Sequence, residues 1–201
     1  MTATPVRPAA SSTLLPVTVL IAITAGALTA QGQSALPDAL RSVANSAGSW
    51  SLLAFALALR APDAVRATAA ASVALVGLLA GYIMLDEARG FPASHRLILF
   101  WLIASIIAGP ALGLGAHLLR RGTPVQAVFA TGVLCGVLLG EGIYGLTVIA
   151  DTTSGIYWTL EITIAVLVFV FAAGRYLRRC SGIALAVGVT GVVAAAFLLI
   201  Y

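Results

Sequence analysis

Seven long apolar stretches dominate this sequence and limit what it can fold into. They cover residues 13–30, 44–59, 67–85, 97–119, 125–150, 156–174 and 182–200. An α-helix needs about 20 apolar residues to span the hydrocarbon core of a bilayer. It also satisfies its own backbone hydrogen bonds within lipid. The stretches therefore predict an all-α, polytopic bundle of transmembrane helices.

The charge content excludes a soluble domain of the ordinary kind. Only 9% of the residues are charged, whereas soluble domains carry about 25%. The net charge of +4 comes from eleven arginines that lie in the gaps between apolar stretches. Membrane orientation explains arginines in such gaps without any nucleic acid. We therefore expect the main partner to be the lipid bilayer.

The number of crossings depends on the second stretch. Asn45, Ser46, Ser49 and Ser51 dilute it with polar side chains. If residues 44–59 span the membrane, the bundle has about seven crossings. If they do not span it, six crossings remain and the N-terminus changes sides.

Arginine positions predict how the bundle is oriented. Loops that carry more arginine face the cytoplasm. With seven crossings and a cytoplasmic N-terminus, the C-terminus lies outside and the arginines divide eight against three. The inner set is 7, 60, 66, 120, 121, 175, 178 and 179, and the outer set is 41, 89 and 96. Arginine used without lysine is typical of GC-rich bacteria, so we expect the cytoplasmic membrane of a bacterium.

The beginning of the chain has two interpretations. Residues 1–12 contain Pro5 and Pro8 and predict a disordered tail before a single transmembrane domain at 13–201. The first apolar stretch is expected to be an uncleaved crossing. The alternative is a signal peptide that follows Arg7 and is cleaved near residues 25–27.

The sequence contains no motif that identifies an enzyme or a cofactor site. It has no lysine, which excludes Schiff-base and Ser–Lys chemistry. The HExxH, GxSxG, GxGxxG and P-loop patterns are absent. Two cysteines and two separated histidines do not suggest a metal site. We therefore expect neither a catalytic activity nor a cofactor nor a metal.

Two glutamates within apolar stretches are the strongest candidates for function. Glu141 lies in the fifth stretch and Glu161 in the sixth, and a short connection makes these two helices antiparallel neighbours. Tyr144 and Tyr157 lie three and four residues from the glutamates, so each shares a helix face with one of them. Because charge within a bilayer is costly, we expect both carboxyl groups to face the interior of the bundle.

The loops on the outer side add charged candidates for the same site. Asp151 lies in the connection between the two glutamate helices, and Arg89 and Arg96 flank the fourth stretch. Either arginine could pair with a glutamate or with an anionic solute. Trp158 is expected to anchor the outer membrane interface.

Glycines at four-residue spacing predict close helix packing in three of the stretches. Small residues at this spacing let helices approach closely in lipid. The pattern comprises Gly77 and Gly81, Gly109 and Gly113, and Gly132, Gly136 and Gly140.

Four segments carry a resemblance to a known family. They read NSAGSW (45–50), RGFPASHRLILFW (89–101), GEGIYGLTVIADTT (140–153) and YWTLEI (157–162). The chain beyond its first twelve residues resembles a family of small multi-pass membrane proteins of unknown function from GC-rich bacteria. The resemblance implies a helical membrane fold and transfers no site.

These features lead to one expected function and two alternatives. The first is binding or translocation of a small solute or ion through an outward-opening polar pocket between the fifth and sixth helices. The second is a non-catalytic membrane partner or scaffold, or a homo-oligomer, whose glycine faces dock another protein. The third is an intramembrane enzyme that uses the two carboxyl groups.

Overall fold

The computed structural model describes residues 13–176 and 180–200, and in this part of the chain the ordered elements are all helical. The expected tail at residues 1–12 lies outside the described residues. The predicted all-α bundle is confirmed. The elements are α1 (Leu14–Ala35), α2 (Asp38–Arg41), a 3-10 helix (Ser42–Asn45), α3 (Ala47–Ala58), α4 (Ala64–Ala88), α5 (His95–Arg121), α6 (Pro124–Thr147), α7 (Gly155–Tyr176) and α8 (Cys180–Ile200).

Six of these helices have the length and apolar character of membrane spans, namely α1, α4, α5, α6, α7 and α8. Large apolar side chains such as Leu20, Ile107 and Phe171 are exposed on the outside of the bundle. A soluble protein would not expose apolar surface on this scale. The chain is therefore built as an integral membrane protein.

Helices α1 and α4 run in the same direction. Gly77 packs against Ala22, and further along both helices Gln33 donates to the Tyr82 hydroxyl at 2.6 Å. Residue numbers thus rise together along the two helices. The chain between them, residues 36–63, must return from one end of the bundle to the other. The first apolar stretch is one unbroken helix through residues 25–27 and packs along α4.

The second apolar stretch makes this return in two pieces. α2 lies before this stretch, the 3-10 helix overlaps its first two residues, and α3 begins only at Ala47. With 12 residues, α3 is about 18 Å long, which is too short to span a bilayer alone. Its far end is held where Arg120 donates to the Leu59 carbonyl. The polar residues of the second stretch therefore lie where the chain, on its way back through the bundle, changes from one helix to the next.

The two ends of the bundle differ in charge. Neighbouring helices in the sequence run antiparallel from α4 to α7, because short loops connect them. One end, here called the arginine-rich end, carries Arg60, Arg66, Arg120 and Arg121. The opposite end carries the loops that contain residues 89–94 and 148–154. The polar features described below lie nearer this opposite end.

Glycines bring the helices into close contact within the chain itself. Gly136 lies against Val193 of α8, where an added Cβ would come within 2.5 Å of the valine Cβ, and Gly132 and Gly140 face α8 in the same way. The shared offset along both helices shows that α6 and α8 are parallel. Gly77 and Gly81 face α1, and Gly109 and Gly113 face α4. The bundle's own helices therefore cover these glycine faces.

Candidate functional site

Glu141 and Glu161 lie at the same depth in the bundle. Each is six residues from the end of its helix, since α6 ends at Thr147 and α7 begins at Gly155. Six residues correspond to about 9 Å along a helix. Glu141 is 5% exposed and Glu161 is 1% exposed. Both carboxyl groups contact the same hydroxyl oxygen, Ser46 Oγ.

The beginning of α3 lies directly on this carboxyl pair. Ala47 N–H donates to Glu141 Oε1 at 2.8 Å, and Gly48 N–H donates to Glu141 Oε2 at 2.5 Å. The next amide, Ser49 N–H, donates to Ser46 Oγ at 3.0 Å, and Trp50 N–H donates to the Ser46 carbonyl. The first four amides of a helix have no partner within the helix itself. Glu141 and the Ser46 hydroxyl satisfy three of these amides, those of Ala47, Gly48 and Ser49, and the bond from Trp50 is the first regular bond of the helix.

Gly48 allows the carboxyl groups to approach the helix. A Cβ at this position would lie 2.9 Å from Glu141 Oε2 and would collide with Glu161 Oε1. Both contacts are too short for real atoms, and both involve buried groups that cannot move away freely. The glycine is therefore required by close approach of the two carboxyl groups to the backbone.

The Ser46 hydroxyl uses its complete hydrogen-bonding capacity. It accepts from Tyr157 Oη at 2.7 Å and from Ser49 N–H at 3.0 Å. Its oxygen lies 2.8 Å from Glu141 Oε2 and 3.3 Å from Glu161 Oε1. A serine hydroxyl has one proton and two lone pairs. Because the proton goes to the nearer Glu141 oxygen, none is left for Glu161.

Glu161 is consequently short of donors. Its Oε2 is buried and has no hydrogen-bond partner among the residues that the structure describes. If both glutamates were ionised, two negative charges would be in contact in a medium that screens them poorly. A proton on Glu161 removes one of these charges and supplies a donor toward Glu141. The pair thus has the chemistry of a site for a proton or a small cation.

An open, mostly apolar cavity of about 680 Å³ lies on the other side of Ser46. It is lined by α1, α3, α4 and α5 and by the loop at residues 90–94, near the opposite end of the bundle. Ser46 lines this cavity and also contacts both glutamates. A smaller cavity of about 280 Å³ lies between α2, the 3-10 helix and the connection from α6 to α7. Ser46 is therefore the link between the larger cavity and the carboxyl pair.

The structure brings some of the predicted site residues together and not others. Tyr157 joins the carboxyl pair through Ser46, and Tyr144 is half-buried one turn beyond Glu141. Asp151 and Arg96 are exposed. The pocket expected between the fifth and sixth helices is occupied by the beginning of α3, and the larger cavity lies beyond it.

Arg89 contacts α1 rather than the carboxyl pair. It donates to the Ala30 carbonyl at 3.0 Å and to Ser34 Oγ at 2.7 Å. It also lies 4.0 Å from Asp86. Within residues 13–176 and 180–200, the ion pairs found join arginines to aspartates and involve neither glutamate.

Sequence reasoning missed Ser46 and Gly48, and it placed Trp158 wrongly. A serine followed by Ala-Gly-Ser within an apolar stretch is the pattern of a helix N-cap, and it could have indicated a helix that starts inside the bundle. Trp158 was expected at the membrane interface. It is instead buried against Gly145 and donates from Nε1 to Thr153 Oγ1 at 2.8 Å.

Comparison with known proteins places the chain in a family. No curated protein and no solved structure matches it. One family pattern matches residues 5–201, nearly the whole chain, and its description is "Family of unknown function (DUF6518)". The four sequence segments quoted above lie within the matched range. The chain belongs to the family DUF6518.

Proposed function

We propose that this protein binds a proton at the Glu141–Glu161 pair and exchanges it for a small solute held in the neighbouring cavity. The observation that carries this proposal is Glu161, which is 1% exposed and has an oxygen for which the described part of the chain supplies no donor. Capping of α3 explains why Glu141 is buried, but it does not explain why a second carboxyl group lies beside it. A proton shared by the pair explains both.

The position of the pair supports exchange with the cavity. Ionisable residues within membrane spans often belong to proton relays and solute pathways. Helices that begin inside the membrane, with their amide groups at a binding site, are typical of secondary transporters. Here the beginning of α3 and the Ser46 hydroxyl connect the pair to the cavity. If the arginine-rich end faces the cytoplasm, the cavity opens near the outer surface.

The glycine faces no longer support the scaffold alternative. Its docking surfaces were the glycine faces of α4, α5 and α6, and these faces contact α1, α4 and α8 of the same chain. The enzyme alternative has gained no supporting feature. Proton-coupled binding is the function that the described contacts favour.

Proteoliposomes that contain a pH-sensitive dye test this function. Three impermeant probes of different charge are added outside in turn: choline, glutamate and sorbitol. In the wild type, at least one of them should change the internal pH. Glu161→Gln should abolish this change, because an amide cannot release the proton. Glu87→Gln is the matched control, since Glu87 is exposed at the end of α4.

A pH change of equal size in wild type and Glu161→Gln would contradict the proposal. So would the absence of a pH change in the wild type with all three probes. Loss of the change in Glu87→Gln as well would mean that the effect is not specific to the pair.

A further inference from the structure

Aromatic rings form much of the wall of the larger cavity. The Trp50 ring lies 6.1 Å from the ring of Tyr82 and 6.1 Å from the ring of Trp101, measured between centroids. Phe91 and Phe100 add two further rings to the lining. Rings from α3, α4, α5 and the preceding loop therefore converge on one space.

One carboxylate belongs to the same wall. Asp86 is the only charged side chain among the lining residues that the structure describes. Arg89 is 4.0 Å away from it, but the guanidinium donates its shorter hydrogen bonds to Ala30 and Ser34 of α1. The same guanidinium lies 5.6 Å from the centre of the Phe91 ring. Asp86 thus lines the cavity with Arg89 as a loose ion-pair partner at its edge.

These groups share one ligand chemistry. The face of an aromatic ring attracts a cation within about 6 Å, and alkylated ammonium groups are bound by clusters of such rings. A carboxylate adds the opposite charge. The volume of about 680 Å³ lies in the range of small-molecule sites. Gln33 and Asn45 offer amide groups at the margin of the cavity for a polar substituent on the ligand.

We propose that this cavity binds a small organic ammonium ion, held by the rings of Trp50, Tyr82 and Trp101 and by the carboxylate of Asp86. This inference rests on the proposed function, because it names the solute that would be exchanged for the proton. Exchange of such a cation for the proton of the carboxyl pair moves one positive charge in each direction. Binding itself does not require the proton.

Tryptophan fluorescence of the purified protein in lipid nanodiscs tests the proposal. Of the three tryptophans, Trp50 and Trp101 line the cavity and Trp158 is outside it. Choline should change the fluorescence with saturation. Its neutral isostere, 3,3-dimethylbutan-1-ol, has the same shape without the charge and should bind at least about tenfold more weakly if cation–π and carboxylate contacts dominate. The Trp158→Phe variant should retain the choline response.

Single substitutions test which residues form the choline site. Asp86→Asn and Trp101→Leu should each weaken choline binding by about tenfold, the effect expected for loss of a desolvated cation contact. Glu87→Gln, one residue further along α4, should bind like the wild type. Glu161→Gln should also bind choline, which separates this inference from proton exchange.

Equal binding of choline and its neutral isostere by the wild type would overturn the proposal without any need for a variant. Preferential binding of glutamate would overturn it in favour of an anion that uses Arg89. If choline binds but none of the three probes moves a proton in proteoliposomes, the cavity assignment survives and the proposed function fails.

Discussion

Glu141 and Glu161 are the same residue type at the same depth, but their surroundings differ. Glu141 accepts hydrogen bonds from Ser46, Ala47 and Gly48, and both of its oxygens are used. Glu161 has one long contact with Ser46, and its other oxygen has no partner within residues 13–176 and 180–200. Under the proposed function, this asymmetry favours the negative charge on Glu141 and the proton on Glu161. A glutamine amide should therefore be tolerated in place of Glu161 but not in place of Glu141.

Substitution by glutamine should distinguish the two glutamates in stability. Glu161→Gln should unfold at about the wild-type temperature, because its amide group can donate to Glu141 as a protonated acid does. Glu141→Gln should lower the free energy of unfolding by about 1–3 kcal/mol, because its amide group would face a backbone N–H and leave that buried donor unsatisfied. Thermal unfolding of the purified variants in one detergent measures both.

Equal destabilisation by the two substitutions would contradict the assignment. Greater destabilisation by Glu161→Gln would reverse it. Glu87→Gln again serves as the control, because its side chain is exposed.

At the scale of the helix, α6 connects the packing of the bundle to the site. One face carries the glycines that contact α8, and the same helix presents Glu141 to the beginning of α3. Its N-terminus is fixed by a capping box between Thr123 and Gln126. α6 is also the most buried of the six candidate spans. A change in its contact with α8 should therefore affect the stability of the whole bundle.

Alanine at Gly136 should weaken this contact. The new methyl group would come within 2.5 Å of Val193 Cβ, and overpacking of this kind costs about 1–3 kcal/mol. Gly188→Ala in α8 is the matched control, because a Cβ there has no neighbour within 4 Å. The unfolding temperature should be lower for Gly136→Ala and unchanged for Gly188→Ala. A loss of equal size in both variants would contradict the packing assignment.

The sequence predicted the long helices well because lipid imposes a simple rule on them. A continuous apolar stretch must become a helix, and short loops place consecutive helices side by side. The closeness of Glu141 and Glu161 could be predicted because both lie a similar number of residues from the short loop that connects their helices. The break at Ser46 was missed because apolar-stretch counting treats polar residues as dilution, whereas here they satisfy the beginning of a buried helix.

On the scale of the whole molecule, the bundle has an apolar core and an apolar outer surface, and the carboxyl pair is buried within it. The returning segment that ends in α3 packs against α1, α4, α5 and α6, and the carboxyl pair and the cavity lie on either side of Ser46. The cavity is formed by residues 33, 45, 82, 86 and 101. Those residues come from α1, the 3-10 helix, α4 and α5, which only the complete fold brings together, so no local pattern in the sequence could indicate the cavity.

Infrared spectroscopy of the protein in lipid nanodiscs tests the central claim, a proton on the carboxyl pair, most directly. At neutral pH the wild type should show the C=O stretching band of a protonated carboxylic acid. This band should shift on transfer from H₂O to D₂O, because the proton exchanges through the cavity. Glu161→Gln should lack the band, and Glu87→Gln should keep it. If wild type and Glu161→Gln give the same spectrum in this region, the pair holds no proton and the account is wrong.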